Sequence, residues 1–356
     1  GLVSFFTYQY EKESLFNQAS KELNVSADAF VRALNDVFEP ALVLSRTISD
    51  SGIWREDPAG NADAFFSLTT GPVRQFEHLN GAFIGFPDGR FFHIQNLTLT
   101  GARNMERIAI HRRIISDPVN QPQGEWELYN PHSRKWGYDK TVSEPFDPRT
   151  RPWYIDALKA NGPVWTQSYV FASSGQIGVT YAQPLYDDTG ALWAVLGIDL
   201  SLNTLSRTML QTADDLAGIG NLVFATDLSN QMLGHPDFVE QAEEMRRDTA
   251  TFFARYSVPT SFENTVQRAA SVPGEIVPLS LEHRSFIAVK AVLDPAKAMP
   301  LNVFIARDLD VVLAEAEAGM QRSVILLFSA ILIFGIVGLY AVKLRVEVVA
   351  RERAEA

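Results

Sequence analysis

A run of 20 uncharged residues near the C-terminus restricts the fold of this 356-residue chain more than any other feature. The run, Ser323–Val342, reads SVILLFSAILIFGIVGLYAV and is flanked by Arg322 and Lys343. As an α-helix it would be about 30 Å long, which matches the hydrocarbon thickness of a bilayer. The alternative is a helix buried in a soluble core, but basic residues at both ends of an uncharged run are typical of a membrane span. We therefore predict a transmembrane helix over residues 319–343.

The charges on the two sides of this run predict its orientation. The residues after it carry a net charge of +1, whereas residues 1–322 carry −12. Because basic residues favour the cytoplasmic side, residues 11–322 are expected to be extracytoplasmic and residues 343–356 cytoplasmic. An acidic body of this kind also argues against nucleic acid as a partner, since phosphate binding needs a basic face.

Composition and motifs exclude several kinds of chemistry. The chain has no cysteine, so it cannot form disulfides, thiolate metal sites or iron–sulfur clusters. It has six scattered histidines and no Gly-Xaa-Ser-Xaa-Gly, His-Glu-Xaa-Xaa-His or P-loop motif. We predict no catalytic residue, metal or cofactor. A membrane-anchored extracytoplasmic enzyme stays open as an alternative, because the distance between two carboxylates cannot be read from a sequence.

The N-terminal part of the chain has a helical pattern. Residues 1–10 are apolar and aromatic but too few to span a bilayer, and we interpret them as the end of a first transmembrane helix; the alternative is a loosely packed terminus. A long helix is predicted over residues 11–50, with a kink or break at Pro40. Its apolar stripe consists of Phe30, Leu34, Val37, Phe38, Ala41 and Leu42.

The pattern changes to strands after residue 80. Residues 81–86 and 90–94 flank a Pro-Asp-Gly turn and predict a β-hairpin. Residues 176–185 and 191–200 predict a second strand pair. A similar series restarts after residue 217. Strands mixed with flanking helices predict an α+β fold with two antiparallel-sheet domains, the second one smaller.

Two motifs carry a family resemblance. The string FDPRTRPWY, Phe146–Tyr154, and the strand end Gly197-Ile-Asp199 resemble the signature of double Cache sensor domains of bacterial transmembrane receptors. The resemblance implies a long N-terminal helix and two PAS-like (Cache) antiparallel-sheet domains, followed by a transmembrane helix. It divides the chain into the end of a first span (1–10), a stalk helix (11–50), a membrane-distal domain with the ligand site (51–205), a membrane-proximal domain (206–318), a transmembrane helix (319–343) and a cytoplasmic linker (344–356).

The same motifs predict a ligand site. Arg151 is a planar cation suited to a carboxylate, and Asp199 can bind an ammonium group, so the pair fits the two charges of an α-amino acid. By the resemblance, Arg151 and Trp153 would bind the ligand carboxylate, and Tyr154 and Asp199 its amino group.

Two positions depart from the amino-acid-binding members of the family. Phe146 replaces a tyrosine, and Phe171 lies where many members have an aspartate; Tyr169 is a further candidate for the pocket wall. A lost polar contact costs about 1–3 kcal/mol if its partner stays unpaired. An amine or a small carboxylate is therefore an alternative ligand to an amino acid.

Structural roles are the alternatives for these residues. Arg151 could pair with Asp147 or Asp156, and Asp199 could cap the helix that follows it. Trp153, Tyr154 and Tyr169 could be core aromatics.

The sequence thus predicts the sensor region of a receptor in the bacterial inner membrane. We expect a small-molecule ligand, a homodimer and a missing cytoplasmic output domain, for which a cyclase or a kinase is favoured over a chemotaxis domain because the tail has no Pro-containing start of a HAMP linker. The alternative signal is a partner protein.

Overall fold

The computed structural model describes most of the chain. The described residues are 2–53, 62–76, 78–97, 110–130, 133–139, 144–215, 221–228, 231–235, 274, 276–281, 284–293 and 299–355.

The chain begins with a helix of 49 residues, α1 (Leu2–Asp50). It runs through the predicted boundary at residue 10, and it contains Pro40 without ending there, so the expected break at this proline is wrong. Buried residues on both sides of the proline, from Phe30 to Ile48, pack into one hydrophobic core, and this packing compensates for the hydrogen bond that proline cannot donate. The helix ends before Gly52, whose φ of 64° is left-handed.

A large antiparallel sheet follows α1. Its strands are β1 (Gly81–Gly85), β2 (Phe91–Asn96), β3 (Ile110–Ile115), β4 (Glu125–Asn130), β5 (Lys135–Tyr138), β6 (Val164–Trp165), β7 (Tyr169–Val170), β8 (Ile177–Tyr186) and β9 (Leu192–Ser201). The strand order is β5-β4-β3-β2-β1-β9-β8-β6, with β7 also paired to β8. The predicted hairpin is present as β1 and β2, and the second predicted pair as β8 and β9.

Three helices flank this sheet. They are α2 (Ala62–Gln75), α3 (Pro152–Ala160), which follows a 3₁₀ turn at Pro148–Thr150, and α4 (Leu202–Asp215). α1 covers one face of the sheet, whereas α3 lies over β8 and β9 on the other face, in a separate aromatic cluster.

The small antiparallel sheet contains the later strands in the order β11-β10-β14-β13-β12. The strands are β10 (Asn221–Thr226), β11 (Met232–Gly234), β12 (Ile276–Leu281), β13 (Arg284–Val292) and β14 (Asn302–Asp308). The mixture of helices with two antiparallel sheets confirms the predicted α+β fold.

The last helix, α5 (Leu309–Glu355), starts directly after β14 and continues for 47 residues. Within the described part of the chain, one helical stretch, Val324–Arg351, is long and apolar enough to cross a membrane. Its side chains are exposed along almost its whole length, which argues against the alternative of a buried core helix.

Three polar contacts connect the parts of the fold. Ser45 of α1 donates to Gln183 of β8 with an Oγ–Oε1 distance of 2.5 Å. Arg307, two residues before α5, forms an ion pair with Glu22 of α1, with Nη1 and Oε2 2.6 Å apart. Gln231 beside β11 donates to Ser168 beside β7 over 3.1 Å. α1 is therefore bonded to both sheets, and the small sheet also contacts the segment that leads to Tyr169.

Candidate functional site

A cavity lies between the start of α3 and the face of the large sheet opposite α1. It contains six of the seven predicted site residues. The lining residues are Phe83, Phe91, His93, Arg113, Phe146, Arg151, Trp153, Tyr169, Phe171, Ala172, Ser173 and Asp199.

Asp199 reaches the cavity from the central strand β9. It lies in register with Thr180 of β8, whose Oγ1 donates to its Oδ1 over 2.6 Å. The hydroxyl of Tyr169 lies 2.6 Å from the same Thr180 oxygen. The alternative role of Asp199 as a helix cap is wrong, because Ser201 caps α4 by accepting from the backbone N–H of Thr204.

Asp199 is 3 % exposed. Burial raises its pKa to about 8, although the hydrogen bond from Thr180 and the charge of Arg151 act in the opposite direction. At neutral pH the group is therefore mostly the uncharged acid. A cationic ligand group placed against it would favour the carboxylate form.

Arg151 occupies the junction between the 3₁₀ turn and α3. Its Nη2 donates to the backbone oxygen of Val170 over 3.1 Å, and its Cζ lies 5.8 Å from the centre of the Tyr169 ring. Of the described carboxylates, none lies within ion-pair distance of it. The predicted alternative of a salt bridge with Asp147 is formed by Arg149 instead, through Nη2 and Oδ2 at 2.9 Å. Arg151 thus brings an unneutralised positive charge to the cavity.

Trp153 and Tyr154 have different surroundings. Trp153 lines the cavity and packs on Phe83 with ring centres 4.7 Å apart. Tyr154 is buried in the same aromatic cluster but is not among the residues that line the cavity. Consecutive helical residues point about 100° apart, so α3 directs only one of the two rings towards the cavity. Tyr154 is therefore buried beside the cavity and outside its lining, and its expected contact with the ligand amino group stays a prediction.

Aromatic rings form the rest of the wall. Phe146 lies 4.6 Å from Phe91 between ring centres, and Phe171 lies 5.3 Å from Tyr169. The side of Phe83 faces Gly197, where a Cβ atom would collide with the ring. The glycine of the Gly-Xaa-Asp strand end therefore leaves space for the Phe83 ring, which is part of the aromatic wall of the cavity.

Sequence reasoning missed His93 and Arg113, two ionisable residues that line the cavity. They lie opposite each other on β2 and β3. Burial lowers the pKa of His93 to about 3 and that of Arg113 to about 10, so at neutral pH the imidazole is uncharged and the guanidinium is charged. The alternation of residues along both strands could have placed them on one face, but it does not indicate which face lines a cavity.

The comparisons with known proteins concern this part of the chain. Residues 105–207 match the family described as methyl-accepting chemotaxis protein-like, first PDC sensor domain. Adenylate cyclase 1 of Rhizobium meliloti is 26 % identical over 260 residues, which is 69 % of this chain and 37 % of that protein. The chemotaxis protein McpB of Bacillus subtilis is 45 % identical over 71 residues, 20 % of this chain and 10 % of McpB. The chain thus spans well under half of these relatives.

A solved structure has the same fold. The ligand-binding domain of the Pseudomonas fluorescens chemoreceptor CtaA, in complex with L-isoleucine, aligns with a TM-score of 0.50 and 18 % identity, covering 86 % of this chain and 98 % of that domain. The family match over residues 105–207 and the shared fold support a ligand-sensing sensor domain of the Cache type in this part of the chain.

Proposed function

We propose that this chain is the double Cache sensor of a bacterial inner-membrane receptor and that it binds an amino acid in the cavity at Arg151 and Asp199. The observation that carries the proposal is that Arg151 and Asp199 line the same cavity. A cation and a carboxyl group face one cavity, and the cation has no carboxylate partner among the described residues. The amino-acid ligand of CtaA, which has the same fold, supports this ligand class.

The proposal gives a role to each polar group around Arg151 and Asp199. Arg151 would bind the ligand carboxylate through the guanidinium N–H groups that Val170 does not use. Asp199 would accept from the ammonium group. The hydroxyls of Thr180 and Tyr169 hold the carboxyl of Asp199 in place. Trp153 and the phenylalanines exclude water, which strengthens each of these contacts.

The route of the signal is part of the same proposal. Only a difference in ligand affinity between two conformations can signal. The contacts of α1 with both sheets and with α5 offer a way for such a difference to reach the membrane. We place residues 11–322 outside and 343–356 inside, in a homodimer, with the predicted domains at 51–205 and 206–318. The similarity to an adenylate cyclase over 69 % of the chain favours a nucleotide cyclase as the output domain.

The test is thermal unfolding of the full chain in lipid nanodiscs with amino acids, amines and small carboxylates. A ligand at 100 times its Kd stabilises the folded state by about 2.7 kcal/mol, so binding is visible as a higher Tm. Arg151→Ala is expected to weaken the binding of an amino acid by about 10- to 100-fold, because a charge-assisted hydrogen bond is lost.

Arg149→Ala is the matched control, since this neighbouring arginine lies outside the cavity and pairs with Asp147. It is expected to keep the ligand-dependent rise in Tm. Equal binding by the Arg151 and Arg149 variants would contradict the assignment of the site.

A further inference from the structure

We infer that the cavity selects a ligand with a second anionic group, which Arg113 binds, so that an acidic amino acid is preferred over a neutral one. The inference rests on the proposed function, because it assumes that the amino-acid head group lies at Arg151 and Asp199. It adds a residue that neither the motifs nor the family resemblance pointed to.

The surroundings of Arg113 leave its charge uncompensated. The residue is 6 % exposed, and its Nε and Nη2 donate to the backbone oxygens of Gln123 and Glu144, each over 2.8 Å. The rings of Trp126 and Phe146 lie on it, with their centres each 5.3 Å from Cζ. No described carboxylate comes within ion-pair distance of this guanidinium. A buried cation with neutral partners is costly, and an anion would remove much of that cost.

Arg113 also has hydrogen-bonding capacity left for a ligand. A guanidinium has five N–H groups, and the two bonds to described residues use two of them. The backbone bonds and the two aromatic rings fix the plane of the group, so that binding costs little side-chain entropy. Arg113 is therefore a preorganised anion site.

The net charge of the residues that line the cavity also favours a ligand with a second anionic group. The described lining residues include Arg113, Arg151 and Asp199, and His93 is uncharged at neutral pH. When a ligand ammonium group ionises Asp199, these side chains sum to +1. A neutral amino acid is a zwitterion and leaves this charge in place, whereas an acidic amino acid brings the sum to zero.

Strand positions separate the two ends of the site. Arg113 lies on β3, and β2 and β1 lie between it and Asp199 on β9. With strands about 4.8 Å apart, the two backbones are roughly 14 Å apart, and the long arginine side chain covers part of that distance. Arg151 contacts Tyr169, at the Asp199 end. An amino-acid head group at Asp199 would therefore direct its side chain towards Arg113, past the rings of Phe83 and Phe91.

The experiment compares matched ligands on the full chain in lipid nanodiscs. Titration calorimetry with L-glutamate and L-glutamine, and with L-aspartate and L-asparagine, changes only the charge of the ligand side chain. Of the two acidic amino acids, we expect the one with the higher affinity to bind at least about tenfold more tightly than its own amide. Its side-chain carboxylate gains a charge-assisted contact that the amide cannot make. Arg113→Gln should remove this preference, and Arg113→Lys, which keeps the charge, should retain part of it.

Arg112→Gln is the control, since this next residue in β3 points to the other face and binds Glu127 over 2.5 Å. It should keep the preference for the acid. Equal binding of acids and amides by the unmodified chain would overturn this inference and leave the proposed function standing. Binding of none of the four ligands by the unmodified chain would overturn this inference, and the proposed function is overturned as well if no amino acid of the panel raises the Tm. If Arg113→Gln does not fold, the ligand pairs on the unmodified chain and the Arg113→Lys variant decide the question.

Discussion

Asp199→Asn is expected to abolish the binding of an amino acid and, at the same time, to raise the free energy of unfolding at pH 7. Burial raises the pKa of this carboxyl from 3.8 to about 8 in the folded chain. Between these two values the folded state keeps a proton that the unfolded state releases, so stability falls as the pH rises from 4 to 8. The cost at pH 7 is on the order of 4 kcal/mol, because pH 7 lies about three units above the unfolded-state pKa and each unit corresponds to about 1.36 kcal/mol.

Asparagine has nearly the same shape and does not titrate, so the variant should lack this fall in stability. It cannot provide the negative charge for an ammonium group, which is why binding is expected to be lost. The measurement is urea unfolding of both chains between pH 4 and 8, followed by ligand titration at pH 7. A parallel decline of stability in the two chains would contradict the assignment of this pH dependence to Asp199.

Asp187→Asn is a control for which we expect the opposite change in the free energy of unfolding. Its pKa is lowered by hydrogen bonds from Thr189 and Ala191, so its charged form stabilises the folded state. Substitution there should lower stability above the pKa of the carboxyl and leave ligand binding unchanged.

Phe38→Ala is expected to reduce the free energy of unfolding by about 3–5 kcal/mol, the range for a large aromatic removed from a core. Phe38 is 1 % exposed in α1, and its ring meets Trp165 of β6 edge-on with centres 5.2 Å apart. The substitution leaves a cavity between the helix and the sheet that the rigid strands cannot fill. Denaturant unfolding of the full chain measures the change.

Phe16→Ala on the same helix is the matched control, because this phenylalanine is 40 % exposed. A loss well below 1 kcal/mol is expected there, as for most surface substitutions. Similar losses at the two positions would show that the core between α1 and the large sheet contributes little to stability.

Much of the fold could be predicted because local patterns determine it. The apolar stripe of α1 and the turn between β1 and β2 are both encoded within a few residues. The break predicted as one option at Pro40 was wrong because a local rule ignores the packing that holds the helix together on both sides of it. The two-residue strand β7, which carries Tyr169, is too short for any periodicity to reveal.

The residues of the candidate site also differ in whether local sequence patterns could predict them. Arg151 and Asp199 could be proposed from motifs, and the cavity does bring them together. Arg113 could not, because its importance depends on β2 and β3 facing the cavity and on the absence of a nearby described carboxylate. Tyr154 shows the reverse case, in which a motif position supports the core instead of the cavity.

The position of α1 has a consequence for how the chain opens and closes. One continuous core contains Phe30 and Leu34 of this helix, Ile198 of the large sheet, and Ile287 and Ile305 of the small one. Neither sheet can expose its buried face without uncovering part of the shared helix, so we expect their local unfolding to be cooperative. If the proposed ligand suppresses opening around Asp199, we therefore expect it also to stiffen β14, the strand that enters α5, so that a signal would pass as a loss of fluctuation without a shift in the mean position of any strand.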